Sequence, residues 1–76
     1  MSEPQQIKWV RASEVTRDRD GIGLELVVNN AIILEIFRDD SKKTREVTLY
    51  KDDISLTLLE EAIAKFKKEI PWDFLD

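Results

Sequence analysis

The chain contains no cysteine and no histidine. The first absence removes disulfides, thiolate zinc sites and thiol nucleophiles together, and the second removes the commonest general base and metal ligand. Neither a Ser-His-Asp nor a Cys-His arrangement can be assembled. The only glycines are Gly21 and Gly23, so there is no glycine-rich loop to cradle a phosphate. No segment approaches the ~20 consecutive apolar residues of a membrane span, and the Met1-Ser2-Glu3-Pro4-Gln5-Gln6 start lacks the basic flank and apolar run of a signal peptide. These absences predict a soluble protein with no membrane attachment, no catalytic residues, no metal and no cofactor. The lack of cysteine suits a reducing, cytoplasmic setting.

What is present fills one domain. The 76 residues allow a single α+β domain over 1–76, near the size where burial only just outweighs chain entropy. Twelve Lys and Arg against sixteen Asp and Glu give a net charge of −4, within the range that keeps a small domain in solution. The signs are interspersed, as in Arg17-Asp18-Arg19-Asp20, so no basic stripe is visible. There is no internal repeat or low-complexity segment.

The most strongly patterned stretch is Ile22 to Phe37. Ile22, Leu24, Leu26 and Val28 alternate with Gly23, Glu25 and Val27, and after Asn29-Asn30 the alternation resumes with Ile32, Leu34 and Ile36. A period of two sends alternate side chains to opposite faces of a strand, so this is a β-hairpin. A strict two-residue loop would set Leu24 opposite Glu35. A three-residue loop of Val28-Asn29-Asn30 instead pairs Leu26 with Ile32, Leu24 with Leu34 and Ile22 with Ile36, which makes one face wholly apolar, and is the register expected.

Residues 1–5 are polar and expected to fray, and Ile7-Lys8-Trp9-Val10-Arg11 alternates as a strand anchored by Trp9. Ser13 to Arg17 either continues that strand or forms a short one of its own. Asp18-Arg19-Asp20-Gly21 is a turn, with Gly21 able to take positive φ. Arg38 to Lys43 ends the second hairpin strand, and Arg45 to Tyr50 alternates again. Then Leu59, Ala62, Ile63, Phe66 and Ile70 recur at helical spacing. Thr57 with Glu60 fits a capping box, Ser55 is the earlier alternative cap, and Pro71 stops the helix at Ile70. The expected architecture is a three- to four-stranded antiparallel meander followed by one C-terminal helix packed on one sheet face. The expected core is Ile22, Leu24, Leu26, Ile32, Leu34, Ile36, Val47, Leu49, Leu59, Ile63 and Phe66.

Candidate chemistry is sparse. Asp18-Arg19-Asp20-Gly21 suggests part of a calcium loop, but Thr16 and Val27 would stand where carboxylate ligands are needed, which leaves an ordinary turn. Asp39-Asp40 and Asp52-Asp53 are paired carboxylates that read as solvated loop residues, in a hairpin turn and in the loop before the helix. Sheet aromatics with basic loops can bind single strands, and Trp9, Phe37 and Tyr50 with Arg17, Arg19, Arg38, Lys42, Lys43 and Arg45 supply such a set. Four strands and then a helix begun through Ile54-Ser55-Leu56-Thr57 resembles the small single-strand-binding transcriptional coactivators, which implies nucleic-acid binding on the sheet. The acidic total opposes it, so this is the second reading.

The first reading is a non-enzymatic interaction module, a homodimer or the companion of another protein. Val27, Ile33, Phe37 and Tyr50 are expected on the second sheet face, which one helix cannot cover. The aromatic tail at 71–76 adds Trp72, Phe74 and Leu75, which also need burial, within the chain or across an interface. These seven residues form the candidate interface.

Overall fold

The computed structural model describes residues 6–75; the expectation of fraying at residues 1–5 lies outside them. Strands β1 (Ile7–Val15), β2 (Asp20–Val28), β3 (Ala31–Asp39) and β4 (Thr44–Leu49) precede helix α1 (Leu56–Glu69). They form one antiparallel sheet in the order β1-β2-β3-β4, as the meander reading expects. Ser13 to Val15 continues the first strand. No helix among the described residues is long and apolar enough to cross a membrane.

The central hairpin differs from its expected register in an instructive way. Asn29 and Asn30 both have positive φ, 51° and 68°, the pair of left-handed residues that makes a two-residue turn matched to strand twist. Val28 faces Ala31 and Val27 faces Ile32, but Leu26 then faces Leu34 and Leu24 faces Ile36, with Ile33 the extra residue of a bulge. The three-residue loop is therefore not formed. A two-residue turn leaves the alternations of the two strands out of phase, and one bulged residue restores the phase. The apolar face survives by another route.

The glycines serve close approach, not unusual φ. Neither has positive φ. A Cβ on Gly21 would collide with the carbonyl oxygen of Arg38, and one on Gly23 would sit 2.8 Å from Phe37 Cδ2. The β1–β2 turn is held instead by Thr16, whose Oγ1 accepts from the N–H groups of Asp18 (3.2 Å) and Arg19 (3.0 Å).

Helix α1 starts at Ser55, not Thr57, with Ser55 Oγ accepting from Leu58 N–H at 3.1 Å. Its first turn carries no acidic residue and its last holds Lys67 and Lys68, the favourable end for cations. Ala62, Phe66 and Ile70 pack on Leu24, Leu26, Leu34 and Ile36 as the core. The helix contacts β2 and β3. A helix is about 10 Å wide with its side chains, whereas four strands at ~4.8 Å spacing span about 15 Å, so the outer strands go uncovered. Val47 and Leu49 on β4 are accordingly exposed and not in the core; Ile32 is exposed because the bulge leaves it opposite Val27 on the face away from the helix, Ile63 because it lies on a flank of α1, while Ile22 and Leu59 are partly buried.

Candidate functional site

Phe37 lies on the sheet face away from the helix, yet it is 3% exposed. The Arg19 guanidinium stacks 3.7 Å from its ring centroid, and the missing Cβ of Gly23 lets the ring lie against the backbone. Arg19 is held in turn by Glu35 at 2.8 Å and Glu14 at 3.2 Å. Burial alone would lower the Arg19 pKa, but the hydrogen bond and charge of Glu35, with Glu14, raise it. The chain thus covers the middle of this face itself. Ile33 has left it: the bulge places Ile33 against the core on the helix side. Val27 is half-buried and Tyr50 exposed.

The aromatic tail folds back on its own chain. The Arg45 guanidinium lies 3.7 Å from the Trp72 ring centroid and 4.2 Å from that of Phe74, and its Nε and Nη2 donate to the Trp72 carbonyl at 3.1 and 2.7 Å. Trp72 meets Phe66 edge-on at 6.4 Å. Arg38 Nη1 donates to the Pro71 carbonyl at 2.7 Å, and Lys43 Nζ to that of Leu75 at 3.0 Å. Asp40 closes the arrangement: it takes Arg38 Nε at 2.9 Å and the Leu75 N–H at 3.1 Å. Burial would raise the Asp40 pKa, but the Arg38 and Leu75 hydrogen bonds and the charges of Arg38 and Lys43 hold it below the usual carboxylate range.

The Asp39-Asp40 pair is therefore not solvated. Asp39 is buried, and its Oδ1 accepts from the N–H groups of Ser41 and Lys42, both at 3.0 Å, which closes the β3–β4 turn. Asp52 and Asp53 are exposed, as expected of the loop before the helix.

The nucleic-acid set does not converge on one open surface: Arg38, Lys43 and Arg45 meet at the returning tail, and Phe37 is covered by Arg19. Trp9 sits on edge strand β1 beside Arg11, Lys65 and Glu69. Arg19, Arg38 and Arg45 are engaged in the contacts above, and Arg17 and Lys42 are exposed on separate turns. No family model matches the chain, and no curated protein or solved structure matches it significantly.

The feature that remains is the flank between β4 and α1. Val47 faces Ile36 and Leu49 faces Leu34, so both belong to the helix side of the sheet, yet they are 48% and 51% exposed. The flank of α1 that carries Lys65 and Glu61 borders Trp9 on β1. Helical spacing puts Leu56 and Ile63 on the other flank with Lys67, and Lys67 stands 5.6 Å from the Trp72 ring at the β4 side. Leu56 and Ile63 are exposed there, on the flank of the helix turned toward β4. The result is an open, mainly apolar trough, with Lys67, Arg45 and Trp72 at one end, along a strand whose outer edge has no neighbour among the described residues. Sequence reasoning assigned three of its members, Val47, Leu49 and Ile63, to the core and passed over Leu56. The available signal was the width of one helix against the span of four strands.

Proposed function

We propose that this chain is a non-enzymatic, cytoplasmic interaction domain that acts as a two-fold homodimer through the open flank of β4 and α1. The observation that carries the reading is the apolar trough itself. Val47 and Leu49 stand half out of water on the core side of an edge strand, with Leu56 and Ile63 beside them. Contiguous apolar surface of this kind marks an interaction site. Apart from Lys67 and Arg45 at the end beside Trp72, the exposed side chains of this flank are apolar, so their complement is another mainly apolar surface, and a second copy presents one of matching size. Of the seven residues first considered for the interface, Trp72 borders this flank and Tyr50 directly follows its strand. Phe37 and Ile33 are occupied within the chain.

Sedimentation equilibrium at micromolar concentration tests the reading. A species of twice the 8.9 kDa chain mass, converted to monomer by Leu49→Asp with the circular dichroism spectrum retained, supports it. A monomer at tens of micromolar overturns it. Single-stranded nucleic acid stays the second reading because Trp9 is flanked by Arg11, Lys65 and Lys68. A net charge of −4 offers little counterion release to drive that binding. Fluorescence anisotropy with a labelled oligonucleotide at physiological salt separates the two, and micromolar binding lost in Trp9→Ala would favour the second.

A further inference from the structure

We infer that the two copies join by antiparallel pairing of β4 with the partner's β4, the two-fold axis passing through Thr48, so that two four-stranded sheets become one of eight strands. This rests on the self-association reading above and specifies its interface.

The hydrogen-bonding phase of β4 limits the possibilities first. Tyr50 N–H donates to the Ile33 carbonyl at 2.8 Å, which makes Tyr50 a residue whose backbone groups point at β3. In an antiparallel ladder this alternates, so Glu46 and Thr48 also point inwards, while Arg45, Val47 and Leu49 turn their N–H and C=O groups to the outer edge. A second strand can bond only where outward residues face outward residues. The axis of a β4–β4 pair must then run through one residue and not between two. Because Val47 and Leu49 lie on the helix side, both helices come to the same side of the joined sheet and the two apolar troughs merge.

Side-chain chemistry chooses among the central residues. With Glu46 on the axis, two like charges stand directly opposite one another, which destabilises a sheet. With Val47 on the axis, Arg45 faces the partner's Leu49 twice, a charge against the apolar strip. With Thr48 on the axis, Val47 faces the partner's Leu49 twice on the helix side. On the other side Thr48 meets the partner's Thr48, and Glu46 meets the hydroxyl-bearing partner's Tyr50. From Glu46 to Tyr50 every pair is apolar with apolar or polar with polar, and the like charges of Arg45 and the partner's Lys51 come opposite only beyond the end of β4. Both edges carry charges, Lys8, Arg11 and Glu14 spread along β1 and Arg45 and Glu46 in the first half of β4, so the uncharged run open to pairing is Val47 to Leu49.

The cysteine-free chain makes the test direct. Single variants Thr48→Cys, Val47→Cys and Glu46→Cys are oxidised in a glutathione redox buffer, beside sedimentation of the unmodified protein. A residue on the axis meets its own copy at a Cα separation of about 4.5 Å, within disulfide reach. One position away the copies are about 8 Å apart and cannot bridge. The expected result is a dimeric unmodified protein and disulfide formation at least ten-fold faster for Thr48→Cys than for the other two. A dimeric protein in which Val47→Cys or Glu46→Cys bridges preferentially, or in which none bridges, overturns the pairing and leaves self-association standing. A monomeric protein overturns both.

Discussion

Arg38 is the side chain whose loss tests the architecture most sharply. It is 3% exposed, and its guanidinium reaches both oxygens of Asp40, at 2.9 and 3.2 Å, and the Pro71 carbonyl at 2.7 Å. Arg38→Met keeps an unbranched apolar stem but leaves the Asp40 carboxylate, 9% exposed, and the Pro71 carbonyl without their donor. Removing one partner of a buried ion pair costs about 3–5 kcal/mol. Asp40 keeps the Leu75 N–H at 3.1 Å, so the lower end, about 3 kcal/mol, is expected. A chain of this length has about 4–11 kcal/mol in total. Urea denaturation at pH 7, followed by tryptophan fluorescence, should show the midpoint falling by roughly 2 M. The double variant Arg38→Met with Asp40→Leu should recover most of the loss, because a well-packed apolar pair can replace a buried ionic one. A single variant within about 1 kcal/mol of the parent, or a double variant no better than the single, would refute the reasoning.

Leu34→Ala and Phe66→Ala should each cost about 2–5 kcal/mol in the same denaturation experiment, whereas Val47→Ala, measured on monomer, should cost less than about 1 kcal/mol because its side chain is half in water. Gly23→Ala should destabilise by about 1–3 kcal/mol, since its Cβ would stand 2.8 Å from Phe37 Cδ2 and 2.9 Å from the Ile36 carbonyl oxygen; an unchanged urea midpoint would show that the Phe37 ring can move aside at no cost. The depressed Asp40 pKa means that the unfolded chain binds that proton more readily than the folded one. Its contribution to stability is complete above the ordinary carboxylate value of about 4 and is lost as pH falls through the folded value. An acid titration of stability should therefore have a limb below pH ~4 that is diminished in Asp40→Asn.

The meander and its helix were readable because alternation in Leu24, Leu26, Leu34 and Ile36 and the three-four spacing of Leu59, Ala62, Phe66 and Ile70 are local consequences of strand and helix geometry. The bulge was not, since it trades one legal register for another with the same apolar face, and only backbone geometry at Asn29 and Asn30 separates them. Coverage was also hidden. Val47 and Leu49 carry the same pattern as Leu34 and Ile36, and their exposure follows from where the helix axis falls, a tertiary property. The burial of Arg38 and Asp39 ran against composition, because a charged run after a strand ordinarily ends in solvent. What reversed it here is the returning tail, which brings the Pro71 and Leu75 backbone groups to residues more than thirty positions away.

The bulge at Ile33 has a meaning in terms of chain length. A regular hairpin from the same turn would reach Leu26 opposite Leu34 with one residue fewer, so deletion of Ile33 leaves every pairing beyond it intact. A deletion, ordinarily the most disruptive change a sheet can suffer, is one that this ladder can absorb. What the extra residue provides is a side chain where strict alternation would have sent none. Ile33 lines, with Val28, Ile54 and Leu58, a hollow beneath the first turn of α1. The irregular point of the strand is thus the seat of the helix's beginning, and shortening the hairpin by one residue should loosen the helix start while the sheet stays whole.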